Sequence, residues 1–97
     1  MSRVLTLVRG EVDESAVDRM TDQYRAGLSH DRPPGLEATW LLRGSGATVG
    51  VATLWRDRAA LDAMRASGEE PFARRLIREA GGSPEVEIFD VIESSAG

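Results

Sequence analysis

One tyrosine, one histidine and two tryptophans carry most of the side-chain chemistry open to this 97-residue chain. Cysteine is absent, which removes disulfides, zinc–thiolate sites and thiol nucleophiles together. No Ser–His–Asp order, no pair of catalytic carboxylates and no metal-ligand spacing emerges from the remaining residues. The stretch TLWRDRAALDAM, Thr53 to Met64, sets a bulky aromatic between the end of an apolar run and a helix start. Trp55 there reads as packing, a plug over the helix start, rather than as the wall of a pocket. GSGATVG, Gly44 to Gly50, is a near miss of the dinucleotide-binding fingerprint. That fingerprint must follow a strand and open a helix, and here a strand follows. It reads as a hairpin turn, with Gly44 and Gly46 supplying positive φ.

The elements that position these residues follow from periodicity. VLTLV, Val4 to Val8, has strand composition. Val17, Met20, Tyr24 and Leu28 then recur at helical spacing. Asp13 is the expected N-cap, with Val12 and Val17 placed as a hydrophobic staple. Pro33 and Pro34 end the helical unit. LEATWLLR and TVGVATLW read as two strands joined by GSGA. Asp57 caps a second helix, which SGEEP interrupts, and Ser67 with Glu70 could form a capping box for its continuation. Gly81 and Gly82 stop that helix, and EVEIFDVIE is the last strand.

The order βαββαβ predicts an α+β, ferredoxin-like chain. It would have one four-stranded antiparallel sheet, with both helices on one face. Residues 1–97 read as a single domain with an ordered core over about 3–93. No apolar run approaches the ~20 residues needed to cross a bilayer, and the N-terminal stretch does not read as a signal peptide. The expected location is cytoplasmic. Net charge is −4, with twelve arginines and no lysine. Acidic residues are interleaved with the arginines, so no segment offers the one-signed basic face that a nucleic-acid groove demands.

The strands are too apolar for a sheet with one wet face. Leu5 and Leu7 alternate with Val4 and Val8, and Leu36, Ala38, Trp40 and Leu42 oppose Leu41. Val49 and Val51 oppose Ala52 and Leu54, and Ile88 and Ile92 oppose Phe89 and Val91. Two helices cover one face only, and apolar patches of this size mark interaction surfaces. A second copy, sheet against sheet, is the simplest cover. The expectation is a homodimer burying on the order of 1,000 Å² or more in total.

The segment VATLWRDRAALDAMRASGEEPFARRL resembles the third-strand-to-second-helix signature of the antibiotic-biosynthesis-monooxygenase-like proteins. PPGLEATWLL is similar to that family's Pro-Gly lead-in to the second strand. The resemblance runs from Arg3 to about Ile92 and implies the dimeric α+β barrel. It also implies two chemistries, namely cofactor-free oxidation of phenolic polyketide-like substrates and haem degradation. Haem degraders of the family use an Asn, a Trp and a His. This chain has no Asn, Met64 stands at the Trp position and Leu76 at the His position. The resemblance therefore implies no haem and no other cofactor or metal.

A cofactor-free oxygenase draws its electrons from the substrate. The protein must bind an aromatic enol, help deprotonate it and admit dioxygen. Tyr24 and His30 are the candidate catalytic residues, and Trp40, Arg43, Met64 and Phe72 the candidate substrate-binding ones. Each also has a plain reading. Tyr24 and Met64 lie on core stripes, Trp40 could serve core or interface, His30 lies in a loop, and Arg43 flanks a glycine turn. The alternatives are a non-catalytic dimeric module that binds a small ligand or a structural partner, and an isomerase or cyclase on the same scaffold.

Overall fold

A computed structural model describes residues 2–30 and 32–95, the side chain of His30 excepted. In chain order the elements are β1 (Val4–Glu11), α1 (Val17–His30), β2 (Leu36–Arg43), β3 (Thr48–Trp55), α2 (Arg58–Arg65), α3 (Phe72–Glu79) and β4 (Glu85–Asp90). The sheet is antiparallel throughout, in the order β2-β3-β1-β4. This is the ferredoxin-like arrangement, with the second helical segment divided into α2 and α3.

Local chemistry sets the helix ends. Asp13 Oδ1 accepts from the Ser15 N–H at 3.3 Å, capping a 3₁₀ turn (Glu14–Ala16) that runs into α1. Asp57 Oδ1 accepts from the Ala60 N–H at 2.8 Å and caps α2. That bond, helped by the Arg56 guanidinium, holds the Asp57 carboxyl below the usual carboxylate range. At the end of α3, Gly81 takes a φ of 94°. Its N–H reaches the Arg78 carbonyl at 3.0 Å, and the Gly82 N–H reaches that of Ile77 at 2.9 Å, which is the Schellman pattern.

Several expectations are corrected. Ser67 and Glu70 form no capping box, because Glu70 instead takes a bidentate contact from Arg78, the shorter bond 2.7 Å. Pro71 stands at the α3 N-cap without a side-chain bond. Positive φ in the hairpin belongs to Gly46 but not to Gly44. β4 ends at Asp90, so Ile92 lies beyond it and is exposed. Leu36 does not share a face with Ala38, Trp40 and Leu42. A bulge sets Leu36 opposite Trp55 and Ala38 opposite Leu54, and the extra residue turns Leu36 to the other side.

The core lies between the helices and one face of the sheet, in two clusters. The larger gathers Val8, Val49 and Val51 from the sheet with Met20, Leu76 and Ile77 from α1 and α3. The smaller gathers Val4, Trp55, Ala60 and Leu61, with Leu36, Met64 and Ile88 packed around them. Trp55 is 3% exposed, and its indole N–H donates to the Thr6 hydroxyl at 3.2 Å. Packing is therefore its role. The register puts Leu5, Leu7, Ala38, Trp40, Leu42, Ala52, Leu54 and Phe89 on the opposite face. None of the described elements covers that face, and Trp40 and Phe89 are each 46% exposed.

Candidate functional site

Between α1 and the edge strand β2 the helix side of the sheet opens into a cleft of about 430 Å³. Helix α1 contributes Val17, Met20, Thr21, Tyr24 and Arg25 to its lining. Strand β2 contributes residues Thr39 to Arg43, and Val49 of β3 closes the floor. The volume falls in the range of small-molecule pockets, which pair apolar walls with a few convergent polar groups. Helical spacing explains the α1 wall, since Val17, Thr21 and Tyr24 follow one another at intervals of four and three. Strand alternation explains the β2 wall, since Thr39, Leu41 and Arg43 share the helix-facing side.

Three of the six sequence-derived candidates meet here. Tyr24 lines the cleft from the helix, and its ring stacks on Phe72, with centroids 6.5 Å apart at 25°. Arg43 lines it from the strand end, where its Nη2 lies 3.4 Å from Glu14 Oε1. Trp40 borders it, although the pairing of Trp40 with Ala52 assigns its side chain to the uncovered face of the sheet.

Two of the other three stand elsewhere. Phe72, expected as a wall, instead lies between α3 and α1. A Cβ built on Gly27 would overlap the Phe72 ring, and Arg75 lies 5.5 Å above the ring centroid. Phe72 thus supports Tyr24 from behind. Met64, also expected as a wall, packs against the Trp55 cluster, away from the cleft. His30 ends α1 rather than lying in a loop, and the role expected of its side chain falls outside the described residues.

A row of threonines went unrecognised in the sequence. Thr6, Thr53 and Thr39 are neighbours across β1, β3 and β2, on the helix side of the sheet. Thr6 Oγ1 donates to the Thr53 carbonyl at 3.5 Å, and the Thr39 and Thr53 hydroxyls lie 3.4 Å apart. The row separates the two apolar clusters and reaches the cleft through Thr39. Three threonines on three strands share no local spacing, and only the register unites them.

No protein-family model matches the sequence, and no curated protein matches it significantly. Solved structures do match along the whole chain. A cofactor-independent oxygenase from Streptomyces nogalater is 18% identical, with a TM-score of 0.61 over 97% of each chain. A heme-degrading protein from Mycobacterium tuberculosis is 21% identical, with a TM-score of 0.72 over 99% of this chain and 98% of that one. A Nitrosomonas europaea protein provisionally classed as an antibiotic biosynthesis monooxygenase is 12% identical, with a TM-score of 0.72 over 97% and 94%. The fold is that of the antibiotic-biosynthesis-monooxygenase-like proteins. At these identities the likeness is one of fold, and solved structures sharing it include proteins with different chemistries.

Leu76, at the position where the family resemblance puts a haem-ligating His, is 3% exposed in the larger core cluster and has no ligating atom. The side chains of this chain do not fit a haem there. Among the described residues no group of three or more His, Asp or Glu could hold a metal ion. Nor is any described helix long and apolar enough to cross a membrane.

Proposed function

We propose that the chain acts as a homodimer that oxidises a small phenolic or polyketide-like compound with dioxygen and no cofactor, in the cleft between α1 and β2. The convergence of Tyr24, Thr39 and Arg43 on an otherwise largely apolar cleft of about 430 Å³ carries this reading. Such chemistry asks little of the protein. A ring-flanked methylene loses a proton to give an enolate. The enolate adds dioxygen, and the resulting hydroperoxide loses water to leave a carbonyl. The substrate supplies all four electrons that reduce dioxygen, so the cleft needs to hold the ring, stabilise the enolate oxygen and accept a proton. Tyr24 and His30 assist proton removal, Arg43 faces the oxyanion, and the apolar wall of Met20, Leu41 and Val49 holds the ring. Trp40 stays in this reading as a border residue, whereas Met64 and Phe72 support the fold.

The homodimer follows from the uncovered apolar face. Leu5, Leu7 and Leu54 are only partly buried and Phe89 is exposed, and a copy related by a twofold axis would cover them.

A second reading is favoured by one observation. The described lining holds no carboxylate, so no base stronger than the Tyr24 phenol and the threonine hydroxyls lines the cleft. A non-catalytic module that binds the same class of ligand needs no stronger base. An isomerase or cyclase would need one, as the oxygenase does.

Oxygen-electrode measurements with anthrone-type phenols decide between them. The oxygenase reading expects consumption of one dioxygen per carbonyl formed, slowed at least about tenfold in Tyr24→Phe or His30→Ala. Uptake no faster than the protein-free rate overturns it in favour of binding alone. Uptake unchanged in both variants removes these two residues from the mechanism.

A further inference from the structure

The charged side chains lining the cleft share one sign: both are arginines, Arg25 and Arg43. Glu14 meets Arg43 from outside the lining, through one stretched contact between exposed groups. Such a contact holds weakly and leaves other guanidinium N–H groups free to donate. The Thr21 hydroxyl is already spent, since it donates to the Val17 carbonyl at 2.9 Å.

The threonine row bears on the direction of the remaining hydroxyl. Thr6 accepts from the Trp55 indole and gives its own proton to the Thr53 carbonyl. The Thr39 and Thr53 hydroxyls lie 3.4 Å apart, and either can donate to the other. Thr53 is 7% exposed, and among the described residues its hydroxyl has no second acceptor, whereas Thr39 opens on the cleft. A buried O–H without an acceptor is costly, while one facing a wet cleft is not. This favours Thr53 as the donor of the pair, which leaves the Thr39 proton for a partner in the cleft.

We propose that the cleft selects oxyanions carried on a small apolar body, with Thr39 as the donor that sets this selectivity beside the positive field of Arg25 and Arg43. The inference rests on the cleft being the ligand site, as in the function proposed above, but not on any oxygen chemistry. Cations meet two like charges there, and neutral rings forgo the charge-assisted bonds.

Calorimetric titration with three probes of one size tests it: 1-hydroxy-2-naphthoate, its neutral amide, and 2-naphthylmethylammonium. The carboxylate should bind about tenfold or more tighter than the amide, and the ammonium weakest. Thr39→Val should weaken the carboxylate about fivefold or more, while Thr39→Ser stays within about twofold of the parent. Valine suits a strand, and amide NMR spectra of both variants report whether the fold is kept. Equal affinity for the three probes, binding of none of them, or a folded Thr39→Val variant that binds like the parent overturns the proposal. The expected order of affinities without oxygen uptake removes the oxygenase reading and leaves the selectivity standing. Oxygen uptake combined with unselective binding does the reverse.

Discussion

The Trp55 indole donates to the Thr6 hydroxyl at 3.2 Å, bridging positions 49 residues apart in the chain. Both groups are buried, so each satisfies a polar atom that water cannot reach. Thr6→Val keeps the shape and the strand preference but leaves the indole N–H unpaired. It should cost about 1–2 kcal/mol in urea unfolding. Trp55→Phe should cost more, because it also removes ring volume from the smaller core cluster. The double variant should fall short of the sum of the two by about 1 kcal/mol. Strict additivity would mean that the bond carries nothing.

Asp57 predicts a pH dependence. Its carboxylate is held below the ordinary range chiefly by the Ala60 N–H, with help from Arg56. A folded-state value below the unfolded one gives stability that is present above the unfolded value and lost as pH falls through the folded one. Near neutral pH, Asp57→Ala should therefore melt below the parent. That gap should narrow as the pH drops below about 4, where the parent loses the same contribution. A gap independent of pH would separate the cap from the charge.

Gly27 offers a test of opposite sign from the usual rule. Alanine normally stabilises a helix interior by about 1 kcal/mol over glycine. Here the new methyl would overlap the Phe72 ring, which also stacks on Tyr24. Overpacking of this kind costs about 1–3 kcal/mol. Gly27→Ala should thus lower the melting temperature, and Phe72→Leu in the same chain should recover part of the loss. A higher melting temperature for Gly27→Ala alone would show that α1 and α3 can move apart freely.

The sequence made the element order and most helix ends legible because they follow local rules. Asp13 and Asp57 cap where their spacing to the helices requires, and Gly81 turns where positive φ is needed. What escaped it depends on contacts between distant segments. The β2 bulge that turns Leu36 toward Trp55 leaves no trace in a period-two reading. Glu70 carried a capping-box signature, yet the guanidinium of Arg78, eight residues on, outcompetes the backbone for it. Tyr24 and Arg43 come together in the cleft, but Phe72 and Met64 sit on apolar stripes that serve core packing instead. Periodicity marks which residues are buried, not which of two interior spaces they enter.

The uncovered sheet face makes the last prediction. Leu5, Leu7 and Leu54 lie side by side across β1 and β3, with Trp40 and Phe89 flanking them on β2 and β4. A patch of this kind left in water favours association, and a twofold copy buries it without leaving a further edge. At micromolar concentration, sedimentation should give twice the 10.5 kDa chain mass. Leu7→Arg places a charge at the centre of the contact, where burial without a partner costs several kcal/mol, and should shift the equilibrium to monomer. Glu14→Gln, on the far side of the cleft from this face, should leave the dimer intact. A single-chain mass for the parent, with its fold retained, would show that the leucines tolerate water and that the sheet needs no partner.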